Sequence, residues 1–407
     1  MKNNIRLYKI IIRYWQIVTI NITVFILLSY ILLLLVEFYY YKRENTNVNN
    51  RGSASPNEIA AEKLGVPYDS RGLRQVIRDY RKKQIIVYPY FHPSIFIKEP
   101  IILNNQEYIP LSGISSALTV FCNESGQYPL IKTDKFGFNN SDEAYQYSEG
   151  LEMALIGDSF AFGYCVDQSE TIASILRQYN SCVSFGSGGG GPLSMLGVIK
   201  EYFPILKPRN VYWLYFEGND LDDLMNEMNN SLLINYLDDE YTQDLISNNV
   251  LKDEYLINYA TKELEKDAFE GGEKTRNYGS IIVLSRIRTR YSNYRLRKKS
   301  LELLPKILLT AKEELNNIGA ELIFVYLPQW ERYGDIQRTN QYREQVLTIV
   351  NNLDLKIIDI HLKFSMYQDA LSLFPFNLRN HYTSEAYKII ANVIIDEHKK
   401  SATSYKK

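Results

Sequence analysis

From about residue 151 onward, the hydrophobic and polar positions of this chain follow two alternating periods. Short apolar runs, typical of buried strands, are separated by longer stretches whose apolar positions recur every three or four residues, as in amphipathic helices. Such alternation predicts a parallel sheet covered by helices on both faces. The predicted strands are 153–156, 183–185, 211–216, 321–327 and 356–360, and the predicted helices are 171–179, 193–204, 221–236, 301–318, 338–352 and 384–397.

The N-terminal segment has a different pattern. No charged residue occurs from Tyr14 to Val36, and this run is about 34 Å long as a helix, enough to cross a bilayer core of roughly 30 Å. A cleaved signal peptide is the alternative, but the run is too long for its apolar region and no small-x-small cleavage site follows. We therefore predict an uncleaved, single-pass membrane anchor.

Charge around this span predicts its orientation. Four basic residues precede it, whereas Lys42, Arg43 and Arg51 follow it, so the N-terminus is expected in the cytoplasm and the remaining chain in the periplasm or outside the cell. A basic helix over 71–84 has a solvated face as its default interpretation, and contact with anionic head groups is the alternative. The predicted organisation is an N-terminal stub and anchor (1–41), a polar tether and basic helix (42–84), a β-rich lead-in (85–150) and the main domain (151–400) with an insertion at about 228–298.

Composition excludes several classes of protein. The 46 basic and 47 acidic residues nearly balance, so the chain lacks the positive field of a nucleic-acid-binding protein. Three scattered cysteines, Cys122, Cys165 and Cys182, form neither a zinc framework nor a disulfide scaffold. One bridge, such as Cys165 to Cys182, remains possible outside the cytoplasm.

Candidate chemistry begins where the first predicted strand of the main domain ends. The sequence Gly157-Asp158-Ser159-Phe160 predicts a tight turn between a strand and a helix. A serine on such a turn is accessible to substrate and lies beside backbone N–H groups, as a nucleophile requires. The alternative is that Ser159 is a plain helix N-cap.

Two further segments follow predicted strands and are expected at the same edge of the sheet, beyond the carboxyl ends of the strands. The first is a glycine run, 186–191, whose backbone can approach a ligand closely; it lacks the ending of a phosphate-binding loop. The second is Glu217-Gly218-Asn219-Asp220, in which Asn219 is either an oxyanion donor or a turn residue. The acidic residues from Asp220 to Glu227 have no accompanying histidine, and no metal is expected there.

Four histidines are available as a general base. His381 lies on a loop just before the last predicted helix, from which it can reach the serine. His361 follows the last predicted strand and is the reserve candidate. His92 and His398 fall in the lead-in and in the polar tail.

Together, Gly-Asp-Ser-Phe, a glycine-rich turn, Gly-Asn-Asp and a late histidine resemble the SGNH (GDSL-like) hydrolase superfamily over about residues 150–397. The stretches 134–140 (DKFGFNN) and 324–328 (FVYLP) are similar to a bacterial membrane-anchored branch of it. The resemblance implies a three-layer α/β/α, flavodoxin-like domain that cleaves or transfers ester-linked acyl groups without metal or cofactor. It also implies Ser159 as nucleophile and oxyanion donor, Gly189 and Asn219 as oxyanion donors, and His381 as general base.

The chain departs from the family pattern at two places. The family usually has an aspartate two or three residues before the histidine, where this chain has Arg379 and Leu378. Its role of orienting the imidazole therefore falls to another group, either a backbone carbonyl or a side chain. The candidate side chains are Asp359, Asn377 and Asn380, and Asp158 and Asp220 are further supporting candidates. Secondly, Ser184 stands where the family often has asparagine.

The leading hypothesis is a serine esterase that removes acyl groups, in particular O-acetyl groups, from a carbohydrate. An O-acyltransferase that modifies surface polysaccharide is the first alternative, because it uses the same acyl-enzyme. A catalytically silent protein that binds glycan or scaffolds an assembly is the second, because the aspartate is missing. The expected partners are the membrane and an acylated carbohydrate or other small ester, and no nucleic acid.

Overall fold

A computed structural model describes residues 2–46, 54–265, 285–334 and 340–404. The chain divides into two compact units. The first comprises Met1–Ser55 and Gly271–Leu296, and the second comprises Pro56–Glu270 and Arg297–Lys407. Parts of the predicted tether (47–53) and of the predicted insertion (266–284) lie outside the described residues.

The first unit contains helix α1, Lys2–Thr46. Its stretch Tyr8–Tyr39 contains 18 consecutive residues with a mean hydropathy of 2.5 and is long and apolar enough to cross a membrane. Its apolar side chains are largely exposed, with Phe25 at 71%. A signal sequence passes the same test of length and composition, so the uncleaved anchor and its orientation remain predictions.

The second unit contains the sheet that the sequence predicts. Strands β6 to β10 form a five-stranded sheet in the order β10-β9-β8-β6-β7, and all neighbouring pairs are parallel. The predicted α/β fold class, with its five main strands, is therefore confirmed. The strands are β1 (Tyr88–Pro89), β2 (Ile101–Leu103), β3 (Gln106–Tyr108), β4 (Leu118–Val120), β5 (Leu130–Lys132), β6 (Met153–Gly157), β7 (Cys182–Ser184), β8 (Asn210–Phe216), β9 (Glu321–Leu327) and β10 (Lys356–Asp359).

The lead-in consists of short strands, as predicted. Strand β4 pairs with β1 in parallel and with β5 antiparallel, while β2 and β3 form a separate antiparallel hairpin. The helices after α1 are α2 (Pro56–Leu64), α3 (Leu73–Lys82), α4 (Ser159–Phe162), α5 (Ile172–Arg177), α6 (Pro192–Leu206), α7 (Asp220–Glu227), α8 (Ser231–Ile234), α9 (Asn249–Glu265), α10 (Ser285–Asn317), α11 (Arg343–Asn352), α12 (Ile360–Phe364) and α13 (Ser384–Ser404).

Alternation along the central strands creates two hydrophobic cores, one on each face of the sheet. Successive strand side chains point to opposite faces. Trp213 therefore packs in the core that α6, α10 and α11 cover, whereas Leu214 packs in the core that α5, α12 and α13 cover. Both side chains are fully buried. This arrangement explains why the strands are apolar at nearly every position, and it confirms the three layers.

Two predicted segments differ from the structure. The helix predicted over 221–236 breaks after Glu227, because the side chain of Asn230 accepts the Leu233 N–H at 3.2 Å and starts a separate helix, α8. The insertion, expected to be irregular, contains the 17-residue helix α9. Its buried residues Lys252, Leu256 and Ala260 recur every four positions, a helical period that the polar composition of the segment obscures.

Candidate active site

Ser159 lies on the turn between β6 and α4. The helix is capped by the preceding residue: the Asp158 carboxylate accepts the Phe160 N–H at 2.9 Å. Ser159 is the first residue of the helix, so the alternative that it is a plain N-cap is wrong. Gly157 allows this turn, because a Cβ there would lie 2.8 Å from the Ala161 Cβ. The Ser159 side chain is thus free of a capping role.

His381 lies on the loop before α13 and contacts the serine directly. Its Nε2 is 2.9 Å from the Ser159 Oγ. On the other side of the ring, Nδ1 is 2.9 and 3.0 Å from the two carboxylate oxygens of Glu124. A carboxylate at Nδ1 fixes the proton on that nitrogen and leaves Nε2 as the acceptor for the serine hydroxyl.

Glu124 supplies the acid that the sequence lacks beside His381. It follows β4 in the lead-in, and one of its oxygens also accepts the His381 backbone N–H at 2.6 Å. Burial raises the pKa of Glu124, but the imidazolium charge of His381 and its hydrogen bonds outweigh burial and lower the pKa overall. Glu124 therefore stays ionised. No local motif marks it in the sequence, because only the packing of the lead-in brings it to His381.

The residues proposed to orient His381 make other contacts. Asp359 caps α12 and pairs with Arg343, and Asn380 donates to the Asn57 side chain and to a backbone carbonyl. Asn377 offers its backbone carbonyl to the Trp330 indole N–H at 2.9 Å.

Two acids near the serine are also engaged elsewhere. Asp158 accepts an amide hydrogen from Asn219 at 3.0 Å, and Asp220 accepts the Phe216 N–H at 3.0 Å. Neither faces Nδ1 of His381, which Glu124 occupies.

The remaining histidines each contact a tyrosine hydroxyl and not the serine. The distances from Nδ1 to the hydroxyl oxygen are 2.9 Å for His361 to Tyr333, 3.3 Å for His92 to Tyr164 and 3.2 Å for His398 to Tyr212. Of the four, His381 is therefore the histidine placed to act on Ser159.

The three groups predicted to bind an oxyanion each have an N–H that is available as a donor. The Ser159 N–H is the first of helix α4, and such groups have no acceptor within the helix. The Gly189 N–H has no acceptor within the described part of the chain, and Gly189 has a φ of +66° that favours glycine. Asn219 uses one amide hydrogen on Asp158 and retains the other.

Residues of the stretch 134–140 (DKFGFNN) stabilise the segment of helix α4 that follows Ser159 and the start of the glycine turn after β7. Asn139 donates to the Phe162 carbonyl at 2.8 Å, and Asn140 exchanges two hydrogen bonds with the backbone of Ser184. Ser184 in turn donates its hydroxyl to the Ala161 carbonyl at 2.7 Å. Ser184 thus ties the glycine turn to helix α4.

Two adjoining cavities open at the site. The first, of about 200 Å³, is lined by Ser159, His381, Glu124 and Asn219, with Phe160, Phe216 and Trp330 as its aromatic walls. The second, of about 240 Å³, has a mostly polar lining that includes Asn340, Gln341, Tyr342 and Arg297. Both cavities share Gly218, Asn219, Gln329 and Arg379. A substrate at Ser159 can therefore extend into the polar cavity.

Two groups of possible metal ligands occur among the described residues. One consists of Glu124, Cys165 and His381, but the Cys165 sulfur belongs to a disulfide and is no thiolate. The other is the buried trio Asp158, Asp220 and Asp223. Burial raises the pKa of each of these three acids, and their mutual repulsion raises the pKa of Asp220 and Asp223 further. Protonation thus reduces their charge.

The disulfide joins Cys122 to Cys165, with Cα atoms 5.4 Å apart. The pairing of Cys165 with Cys182 considered from the sequence is therefore wrong. Cys182 lies buried in β7, where it packs in a core, and it is the free thiol. The structure instead brings the lead-in loop with Cys122 beside the segment that follows helix α4.

No family model matches the sequence, and no curated protein matches it. A search of solved structures finds proteins that are described as GDSL-family lipolytic proteins, from Veillonella parvula (13% identity, 61% of this chain and 97% of the other, TM-score 0.33) and Desulfitobacterium hafniense (16%, 60% and 98%, 0.34). A lipase/acylhydrolase from Enterococcus faecalis is also found (12%, 62% and 96%, 0.35). The first two carry the name of the family that the sequence motifs resemble. In the site of this chain, a serine, a histidine and a glutamate form one continuous series of contacts.

Proposed function

We propose that this protein is a serine esterase that hydrolyses ester-linked acyl groups. The observation that supports this most is the chain of contacts from the Ser159 hydroxyl through the His381 imidazole to the Glu124 carboxylate. These groups match the three roles of nucleophile, general base and orienting acid.

In the proposed reaction, Ser159 Oγ attacks the acyl carbonyl carbon while His381 Nε2 takes the hydroxyl proton. Glu124 stabilises the imidazolium, and the N–H groups of Ser159 and Gly189 with the amide of Asn219 bind the oxyanion. The C–O bond to the alcohol then breaks, and the alcohol leaves with the proton from His381. Water, activated by the same imidazole, releases the acid and regenerates the serine.

The two cavities support a small acyl group on a polar alcohol. The cavity at Ser159 is only about 200 Å³ and is bounded by aromatic side chains, which suits an acetyl group better than a long chain. The adjoining cavity offers amide and hydroxyl groups for a hydrogen-bonding alcohol, and Trp330 provides an aromatic face at the entrance. We therefore propose an O-acetylated carbohydrate as the substrate.

The reaction is tested with para-nitrophenyl acetate and a fluorophosphonate probe. Wild-type protein is expected to hydrolyse the ester and to be labelled at Ser159, and Ser159→Ala is expected to lose both. Labelling and hydrolysis that persist in Ser159→Ala would refute the assignment. A folded wild-type protein that neither labels nor hydrolyses would instead support the catalytically silent alternative.

Transfer to a glycan hydroxyl is the second candidate, favoured by the polar cavity that opens directly beside the serine. The acyl-enzyme is the same, and the acceptor replaces water. An acetyl donor is supplied with a glycan acceptor, and acetylated glycan is compared with free acetate. An excess of acetylated glycan would indicate a transferase, and acetate alone a hydrolase.

We also propose that α1 anchors the protein, with the site outside the cytoplasm. Its apolar stretch and the basic residues before it support this orientation. The Cys122–Cys165 disulfide agrees with it, because such bonds persist in oxidising compartments. Protease added to spheroplasts, in which the outer face of the cytoplasmic membrane is accessible, is expected to digest the Ser159 domain, and full protection of that domain would contradict the proposal.

A further inference from the structure

The segment that carries Glu124 is cross-linked to the segment that carries the serine. Glu124 is two positions after Cys122, and Cys165 is six positions after Ser159. The disulfide joins these two cysteines, and the Ser125 hydroxyl donates to the Cys165 carbonyl at 2.9 Å beside it. The Cys165 sulfur lies within 4.8 Å of both a Glu124 oxygen and a His381 nitrogen.

Hydrogen bonds connect the segment that carries Glu124 mainly to residues before the lead-in. Tyr68 donates its hydroxyl to the Asn123 carbonyl at 3.1 Å, and the Asp69 N–H donates to the Gly126 carbonyl at 2.8 Å. These contacts fasten the segment to 57–69, and not to the sheet that carries Ser159. The disulfide is its covalent link to the serine side of the site.

Glu124 depends on this restraint because, among the described residues, the hydrogen bonds to its carboxylate come from His381, the residue that it has to orient. Its side chain is 25% exposed and that of His381 is 22% exposed, so solvent competes for the carboxylate. A displacement of about 1 Å in a catalytic group is enough to lower a rate by on the order of a hundredfold.

We propose that the Cys122–Cys165 disulfide is a positioning element that holds the Glu124 carboxylate on His381 Nδ1. The proposal rests on the esterase function above and assigns the two cysteines a part in it. Oxidised protein has the complete Ser159–His381–Glu124 chain, and reduced protein loses its third member. Because Glu124 acts on the imidazolium, the loss affects kcat rather than KM.

Reduction is chemically simple. A dithiol such as dithiothreitol supplies two electrons and two protons; the S–S bond breaks, two cysteine thiols form, and the reagent becomes its cyclic disulfide. Cys182 stays outside this exchange, because it is buried and burial raises the pKa of its thiol to about 12. Cys182→Ser is therefore a matched control for a cysteine substitution.

The experiment compares the double variant Cys122→Ser/Cys165→Ser with Cys182→Ser and with Glu124→Gln, using para-nitrophenyl acetate. The double variant is expected to lose at least about tenfold in kcat with KM changed less than about twofold, while Cys182→Ser keeps wild-type values. Adding Glu124→Gln to the double variant should give the kcat of Glu124→Gln alone, since the acid is already displaced. Unchanged kcat in the double variant, or fully multiplicative effects, would overturn the proposal.

Reduction of folded wild-type protein keeps the test valid where the double variant does not fold. Thiol titration then reports two new thiols, near-UV circular dichroism reports folding, and NMR reports the His381 Nδ1 proton held by Glu124. Reduction is expected to remove that resonance and lower kcat, and reoxidation to restore both. If the His381 Nδ1 proton resonance persists in folded, reduced protein, the proposal is overturned, whether or not the protein is active. If the resonance is lost on reduction but the protein shows no Ser159-dependent hydrolysis, only the esterase function is refuted.

Discussion

At the scale of single residues, the imidazole of His381 and the carboxylate of Glu124 meet in the site although they are 257 positions apart in the chain. The serine and histidine belong to the sheet domain, but Glu124 comes from the lead-in that precedes it. A carboxylate at Nδ1 needs only the right distance and direction, so its place in the sequence is free. This explains how the chain lacks an aspartate just before His381 and still has an orienting acid.

Glu124→Gln is expected to lower kcat for para-nitrophenyl acetate by about 10²- to 10⁴-fold. The amide keeps the shape of the side chain but removes the charge that stabilises the imidazolium. Glu331→Gln is the matched control, because Glu331 lines the same cavity and pairs with Arg379 rather than with His381. Equal activity of the two variants would contradict a catalytic part for Glu124.

Sequence patterns located Ser159, Asn219 and His381 because each lies at a motif next to a strand end or a helix start. They did not locate Glu124, whose neighbours, Phe121 to Gly126, carry no periodicity or motif that points to His381. Its position depends on tertiary packing and on the Cys122–Cys165 bond. The spacing of the three cysteines could not determine that pairing, because Cys122 and Cys182 both lie at sequence separations from Cys165 that are ordinary for a disulfide.

At the scale of elements, strand positions followed from apolar runs, because buried parallel strands need apolar side chains on both faces. Helix boundaries were less certain where a capping side chain decides them. Asn230 ends the run predicted over 221–236, and nothing in the apolar pattern marks that break. Helix α9 was missed because a buried lysine, Lys252, occupies a core position; it donates to the Ser112 hydroxyl and the Phe136 carbonyl at 3.0 Å.

Helix α6, which follows the glycine run, is held at its start by Glu227. The buried carboxylate accepts the N–H groups of Gly191, Leu193 and Ser194. Burial nonetheless raises the pKa of Glu227 to about 7, compared with an ordinary value of 4.5. The folded protein therefore holds a proton between these two pH values that the unfolded chain has released, and stability falls as pH rises through that range.

Glu227→Gln is expected to remove this pH dependence. The melting temperature of wild-type protein should fall relative to that of the variant between pH 5 and 8, by an amount equivalent to on the order of 2 kcal/mol. Thermal unfolding followed by circular dichroism at several pH values measures the difference. If the melting temperature of the variant minus that of the wild-type protein stays constant over this range, or decreases as pH rises, Glu227 does not cause the pH dependence.

At the scale of the whole molecule, the site is assembled within one of the two compact units. Ser159, His381, Glu124, Gly189 and Asn219 all belong to the unit formed by Pro56–Glu270 and Arg297–Lys407. Helix α1 belongs to the other unit and supplies none of these groups. Anchoring and catalysis are therefore expected to be separable.

A chain that lacks residues 1–46 is accordingly expected in the soluble fraction, with kcat/KM for para-nitrophenyl acetate within about twofold of the full chain, because its chemical groups are intact.

Sedimentation with vesicles of neutral and of anionic lipid measures the residual membrane affinity of this truncated chain. Helix α3 is basic, but Lys82 and the preceding Arg71 both pair with Asp79, and Arg71 also pairs with Asp69, which offsets part of the positive charge on this surface. We therefore expect little binding to either vesicle. Strong, salt-sensitive binding to anionic vesicles alone would contradict a solvated α3 and assign membrane contact to the unit that contains the site.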